Sequence, residues 1–590
     1  MCGICGELFF NGTTVSQDAV KTMMDRMETR GPDSHGIHHA GTSVFGHRRL
    51  KIIDLSRASN QPMEDKELGL SIVFNGAIYN YKDLRRTLSQ KGYRFFSNGD
   101  TEVILKAFHA WGEDCVDHLN GMFAFAVHNR ETGSVFLARD RLGIKPLYLA
   151  DTGNSLRFAS SLPALLATPG IDGSINPKAL HHYMTFHSVV PAPDTIINGI
   201  RKLEPGCHLT VSESGRQTKH LYWKLPFYRN NTENRYTFRD WKEMLVEKLK
   251  TSVKRRLVAD VPVGVLLSGG VDSSLVVGLL ARAGQEDLKT FSIGFESVGG
   301  EKGDEFEYSD IIADRFATDH HRIQVDADTV LPSMDACVRA MNEPMVSHDC
   351  IGFYLLSRKV AEHVKVVQSG QGADEILAGY HWYPPMMDST DALADYRKFF
   401  FDRSHEEYSR IVAERFRGED HSSLFVENHF AAPGAETPIE KVLRLDTTVM
   451  LVDDPVKRVD SMTMAWSLEA RVPFLDHEFV EFAAKIPPEM KVARGGKHIL
   501  KEASRDIIPQ EVIDRPKGYF PVPALKYIKG EYLEFVKEIL TSDTARNRNM
   551  FRPEYVDRLM ADPESHITPL NGSKLWQIAL LEHWLQTNGL

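Results

Sequence analysis

The stretch Leu266-Leu267-Ser268-Gly269-Gly270-Val271-Asp272-Ser273-Ser274 decides how this chain reads. An apolar run over residues 261–267 leads into two glycines, and Leu275, Val276, Leu279 and Leu280 then follow at helical spacing up to Gly284. That is strand, loop, helix. Glycines let the backbone approach an anion closely, and the first N–H groups of the following helix favour negative charge. The loop is expected to bind phosphate through Leu267, Ser268, Gly269, Gly270 and Ser273, with Asp272 offering an oxygen ligand to a hard cation such as Mg²⁺. It lacks the Gly-Lys-Ser/Thr ending of a Walker loop, so the lysine required near the phosphates must come from elsewhere. A surface glycine turn is the bland alternative.

A chain of 590 residues is too long for one core, and two large domains are expected. Hydrophobic content of 42% and charged content of 25% belong to an ordinary globular protein. No apolar run reaches transmembrane length. A net charge of −10 with dispersed lysines and arginines gives no nucleic-acid footprint. The six cysteines (Cys2, Cys5, Cys115, Cys207, Cys337, Cys350) form neither a disulfide framework nor a paired zinc spacing, and no secretory signal opens the chain. A cytoplasmic setting is expected.

Removal of Met1 would leave Cys2 first, placing on one residue a thiol and an α-amine, a group that ordinarily titrates near about pH 8. Nucleophile and base then come as one unit. Alternating or apolar runs at residues 43–45, 70–74, 123–128 and 135–138 predict strands, and residues 16–27, 82–91 and 102–111 predict helices. Within this α/β segment lie Arg30-Gly31-Pro32-Asp33, His47-Arg48-Arg49-Leu50, Asn75-Gly76-Ala77-Ile78-Tyr79-Asn80, Gly99-Asp100-Thr101-Glu102 and the run from Arg139 to Tyr148. Together with Cys2, these resemble the glutaminase domain of class II, N-terminal-nucleophile amidotransferases.

The resemblance implies a layered α/β/β/α fold and a role for each residue. Cys2 would attack the glutamine side-chain amide and release ammonia, while the Asn75 side chain and the Gly76 N–H would form the oxyanion hole. Arg49 suits the α-carboxylate of glutamine as a bidentate donor, and Asp100 its α-ammonium. Asparagine synthetases usually carry glutamate where this chain has Ala77, so one carboxylate contact is missing.

Lys202-Leu203-Glu204-Pro205-Gly206-Cys207-His208 resembles a bridging segment, and the polar residues 224–237 are the expected linker. The division reads as 2–222 glutaminase with bridging segment, 223–237 linker and 238–590 synthetase. Trp241, Leu245, Leu249, Val253 and Leu257 then mark one helix face. Runs at residues 290–295, containing Ile293, 322–325 and 364–368 alternate with helical segments, as in a doubly wound parallel sheet. Ser369-Gly370-Gln371-Gly372-Ala373-Asp374-Glu375 falls beyond a strand end, where such sheets bind ligands. Asp272 and Asp374 could hold Mg²⁺ between them; as alternatives, Asp272 could cap its helix and Asp374-Glu375 could be a favourable first helical turn.

Glu469-Ala470-Arg471-Val472-Pro473-Phe474-Leu475-Asp476, Gly496-Lys497-His498-Ile499-Leu500-Lys501-Glu502 and Arg515-Pro516-Lys517-Gly518 complete the pattern. With the opening loop they resemble the ATP-pyrophosphatase domain of glutamine-dependent asparagine synthetases, which has a helical C-terminal region. The resemblance implies ATP and Mg²⁺ as cofactors, Lys497 as the missing lysine, and Ile293, Ser369 and Gly370 among the nucleotide-binding residues. It further implies adenylation of a small carboxylic acid, then amidation by ammonia from glutamine. A homodimer is left open.

Two features set the acceptor apart from aspartate. Gln371 stands where asparagine synthetases have a glutamate, and residues 380–451 form an insert rich in aromatics (Trp382, Tyr383, Tyr396, Phe399, Phe400, Phe401). With the segment 342–350, these features resemble the N-acetylglutaminylglutamine amidotransferase branch. Aspartate as acceptor and a degenerate ATP-binding regulator are the competing readings, and the aromatics could be plain helical core.

Overall fold

The computed structural model describes residues 2–10, 12–296, 303–516 and 528–590. Lys517 and Gly518 of the last motif lie outside the described residues. Twelve strands build the first half: β1 (Gly3–Phe9), β2 (Ser34–Ala40), β3 (Ser43–Arg49), β4 (Met63–Asp65), β5 (Leu70–Ile78), β6 (Gly121–Asn129), β7 (Val135–Arg139), β8 (Tyr148–Asp151), β9 (Ser155–Ala159), β10 (Arg201–Lys202), β11 (Cys207–Val211) and β12 (Gln217–Leu221). They form two antiparallel sheets, ordered β10-β8-β9-β1-β3-β2 and β12-β11-β7-β6-β5-β4. Alternate residues of each sheet, including Ile4, Phe45 and Phe158 from one and Val73, Ala124 and Leu137 from the other, meet in a shared core. The outer faces are covered by helices. Val20, Met23 and Met24 of helix Asp18–Arg26 pack with Cys5 and Val44 of the first sheet, and helices Tyr81–Gln90 and Asp100–Trp111 bury Leu84, Leu88 and Ile104 on Ile72 and Phe125 of the second. The α/β/β/α layering is therefore present.

Thr237 opens the helix Phe238–Arg255 with a capping box shared with Asp240, and Trp241, Leu245, Leu249 and Val253 on its inner face are buried. Among the described residues five parallel strands follow: β13 (Val263–Leu266), β14 (Lys289–Phe295), β15 (Asp319–Val325), β16 (Val366–Gln368) and β17 (Glu469–Arg471). Their order, β15-β14-β13-β16-β17, reverses direction at β13 and β16, which is the doubly wound switch point. β17 is not among the predicted strands, because three residues inside a polar motif carry no period-2 signal. Helices dominate the C-terminal region.

The aromatic insert is core. Trp382, Tyr383, Tyr396, Phe400 and Phe401 are buried with Phe186, Phe430 and Val442, and Phe399 packs against them. Trp382 Nε1 and Tyr396 Oη both donate to the buried carboxylate of Asp446, at 3.0 and 2.6 Å.

Candidate active site

The sequence-predicted residues gather in two places. Cys2, Arg49, Gly76, Ala77 and Asp100 line one narrow pocket. The Cys2 N–H donates to Asn75 Oδ1 at 3.0 Å, and Asn75 Nδ2, fully buried, finds no acceptor among the described residues. An unsatisfied buried donor beside a thiol is what a developing oxyanion requires. Gly76 is needed for close approach: a Cβ there would sit 2.1 Å from the Met122 carbonyl oxygen. Burial raises the Cys2 thiol above its usual range. Arg49 is held by the Ser56 carbonyl at 2.9 Å and Asn60 Oδ1 at 2.8 Å, and Asp100 Oδ2 accepts from the Ile78 N–H at 3.0 Å. Burial pushes the Asp100 carboxyl up to about 6.

The second domain completes this pocket. Glu469 and Arg471 of β17 stand in its wall, joined by an ion pair of 2.6 Å. Their motif stands out in the sequence, but no local signal says that its side chains reach the other domain. Further bonds cross nearby. Arg30 donates to the Cys2 carbonyl and to Asp460 Oδ2, at 3.2 and 2.9 Å, and Lys145 reaches Asp460 Oδ1 at 3.2 Å.

The other site is a cavity of about 210 Å³ at the carboxyl ends of β13, β14 and β16. Leu267, Ser268, Asp272, Ser273, Ile293, Ser369 and Gly370 line it, with Gln371, Asp374, Glu375 and Tyr380. Gly269 and Gly270 shape the loop without forming the cavity wall. Gly269 has φ 74°, and Gly270 caps helix Val271–Arg282. Ser273 Oγ accepts from the Ser268 N–H at 3.2 Å, fixing the turn.

Lys497 reaches the two acids of this cavity. Its Nζ lies 2.7 Å from Asp272 Oδ2 and 2.8 Å from Asp374 Oδ2. Burial works against the ammonium, but the two carboxylates outweigh it and raise its pKa. Lys497 adopts a left-handed backbone (φ 51°), and a Cβ on Gly379 would strike both Asp374 Oδ1 and Lys497 Cε. Sequence reasoning misses Gly379 because the need for a bare backbone arises only across the fold. Two acids facing one cation from neighbouring strand ends form a hard-oxygen pair that fits Mg²⁺.

Glu375 and Tyr380 also escape the sequence reading as wall residues. Tyr380 Oη donates to Glu375 at 2.8 Å, and burial, then the neighbouring Asp374, raise Glu375 to about 7. From the segment 342–350, Asp349 reaches the cavity. Glu343 instead accepts from Tyr148 Oη at 3.1 Å and pairs with Lys202, which ties the two halves together. Of the aromatic insert only Tyr380 lines the cavity; Trp382, Tyr383, Tyr396, Phe399, Phe400 and Phe401 do not.

A family model described as asparagine synthase matches residues 244–586, and one described as glutamine amidotransferase domain matches residues 1–223. The chain belongs to the asparagine synthase family. Glutamine-hydrolysing asparagine synthetase 1 of Bacillus subtilis is 30% identical over 632 residues, covering 100% of this chain and 97% of its own. Glutamine-hydrolysing asparagine synthetase 3 of the same organism is 30% identical over 614 residues, covering 99% and 98%. Amidase chry2 of Gibberella zeae is 26% identical over 641 residues, covering 93% and 92%. As an asparagine-synthetase-type amidotransferase, the protein is an ATP-dependent carbon–nitrogen ligase that takes nitrogen from glutamine for a carboxylate acceptor.

Proposed function

We propose that glutamine is hydrolysed at Cys2 and that the ammonia amidates a carboxylate adenylated in the second cavity, with AMP and pyrophosphate released. In this reading the Cys2 α-amine, freed by loss of Met1, takes the thiol proton and keeps Asn75 Oδ1 as its partner. Asn75 Nδ2 and the Gly76 N–H receive the oxyanion; Arg49 and Asp100 hold the two ends of glutamine. The division 2–222, 223–237 and 238–590 separates the two half-reactions. Leu267, Ser268, Gly269, Gly270, Ser273, Ile293, Ser369 and Gly370 hold the nucleotide, and Asp272 with Asp374 holds Mg²⁺, which neutralises phosphate charge when bound.

The observation that carries this reading is the ammonium of Lys497 shared between Asp272 and Asp374. A mobile point charge so placed can turn from the carboxylates to the departing pyrophosphate. Passage of neutral ammonia is supported by an apolar cluster in which Met122, Leu142 and Ile144 of the first domain pack with Leu451, Val456 and Val472 of the second. Six unpaired cysteines support a cytoplasmic setting.

For the acceptor we favour N-acetylglutaminylglutamine over aspartate. Burial of the aromatic insert removes one argument for a larger acceptor, and the choice now rests on Gln371, a neutral residue in the cavity wall. Aspartate is the second reading, favoured by relatives named as asparagine synthetases. Acid-dependent AMP formation, measured with aspartate and with acylated glutamine dipeptides, separates them. Turnover with aspartate alone refutes the dipeptide, and ATP binding without turnover on any acid refutes the enzyme reading.

A further inference from the structure

Away from both pockets, three helices bring a second set of donor atoms together. His181 lies on helix Pro177–Thr185, His405 begins helix His405–Ile411, and Asp420 caps helix His421–Ala431. His181 Nε2 is 3.1 Å from His405 Nδ1 and 3.9 Å from Asp420 Oδ1, and the three donor atoms all lie within 4.8 Å of one another. We propose that His181, His405 and Asp420 form a zinc site that fastens helix Pro177–Thr185 of the first domain to the helical insert of the second.

Spacing and orientation carry the assignment. Four-coordinate zinc with Zn–N bonds of about 2.0–2.1 Å sets its ligand atoms about 3.3 Å apart, so the two nitrogens need move only slightly. Both imidazoles are aimed from behind. His181 Nδ1 meets Ser422 Oγ at 3.2 Å, and His405 Nε2 meets Ser409 Oγ at 3.4 Å. With zinc bound, each hydroxyl would accept from the far ring nitrogen and leave the near one as a lone pair for the metal, the outer-shell arrangement typical of metal-bound histidine. Asp420 is anchored too, its Oδ2 accepting from Ser423 Oγ at 2.7 Å. Arg397, 3.8 Å from Asp420 Oδ2, is the cation with which the metal competes. The ring of His421, 5.7 Å from that of His181, or a water can fill the fourth position. Two imidazoles and one carboxylate select zinc over Mg²⁺.

The test uses untagged, full-length enzyme stripped with a chelator and titrated calorimetrically with Zn²⁺ in excess Mg²⁺, which occupies oxygen-only sites. One zinc per chain is expected, with a rise in Tm. His405→Ala and Asp420→Asn should each weaken binding at least tenfold and remove the Tm rise; asparagine keeps the helix cap while removing the charge. Co²⁺ in the wild-type enzyme should give the intense visible bands of four-coordination. No zinc uptake, equal uptake by the variants, or a six-coordinate Co²⁺ spectrum each overturns the proposal.

Discussion

The backbone N–H of Ser369 donates to the carbonyl of Arg471 at 2.9 Å, and the two residues belong to different pockets. Ser369 lines the cavity beyond β13, β14 and β16, whereas Arg471, paired with Glu469, lines the pocket around Cys2. The adjacent parallel strands β16 and β17 thus serve different sites: the residue just after β16 lines one, and Glu469 and Arg471 of β17 line the other. Replacing Glu469 by Gln removes the buried partner of Arg471 and the carboxylate facing the pocket that lacks one at Ala77. The glutamine KM should rise about tenfold, the loss of one charge-assisted hydrogen bond, while ammonia-dependent turnover stays near wild type. Equal loss with both nitrogen sources would place Glu469 in general folding.

Cys2→Ala should abolish glutamine-dependent pyrophosphate release and leave ammonia-dependent release intact. Asn75→Ala should lower glutaminase kcat by about 10²–10³-fold, the usual cost of one oxyanion donor, and likewise spare the ammonia reaction. Paired assays with glutamine and ammonium salts read both.

Lys497→Ala should have the opposite selectivity. Pyrophosphate release should fall about 10²–10³-fold with either nitrogen source, because the charge lost belongs to the adenylation site. Glutamine hydrolysis measured alone should persist, since Cys2 and Asn75 do not touch Lys497.

Burial places the Asp100 carboxyl near 6, so its charge is present above that value and lost as pH falls through it. The glutamine KM should therefore rise below about pH 6, with little matching change in the KM for ATP. A glutamine KM flat from pH 5 to 8 would remove Asp100 from ammonium binding.

Asp460 neutralises Arg30 and Lys145, and all three are buried. Asp460→Ala would leave two uncompensated cations between the domains and should cost about 3–5 kcal/mol, read by denaturant unfolding. Because Arg30 also donates to the Cys2 carbonyl, the same variant should lose glutamine-dependent activity before ammonia-dependent activity.

By itself the sequence determined whatever depends on neighbours along the chain. The glycine loop after residues 261–267, the one-sided helix Phe238–Arg255 and the strands around residues 43–45, 70–74, 123–128 and 135–138 are written in local spacing, whereas Lys497 is reached only through the resemblance of its motif. Tertiary structure alone decided what depends on residues far apart. It made the insert aromatics a core around Asp446, turned Glu469 and Arg471 toward Cys2, required a bare backbone at Gly379, and set His181 beside His405 and Asp420. A residue's type fixes the bonds it can make. Which partner it meets across hundreds of residues is fixed by the packing of strands and helices, and spacing along the chain carries no record of that.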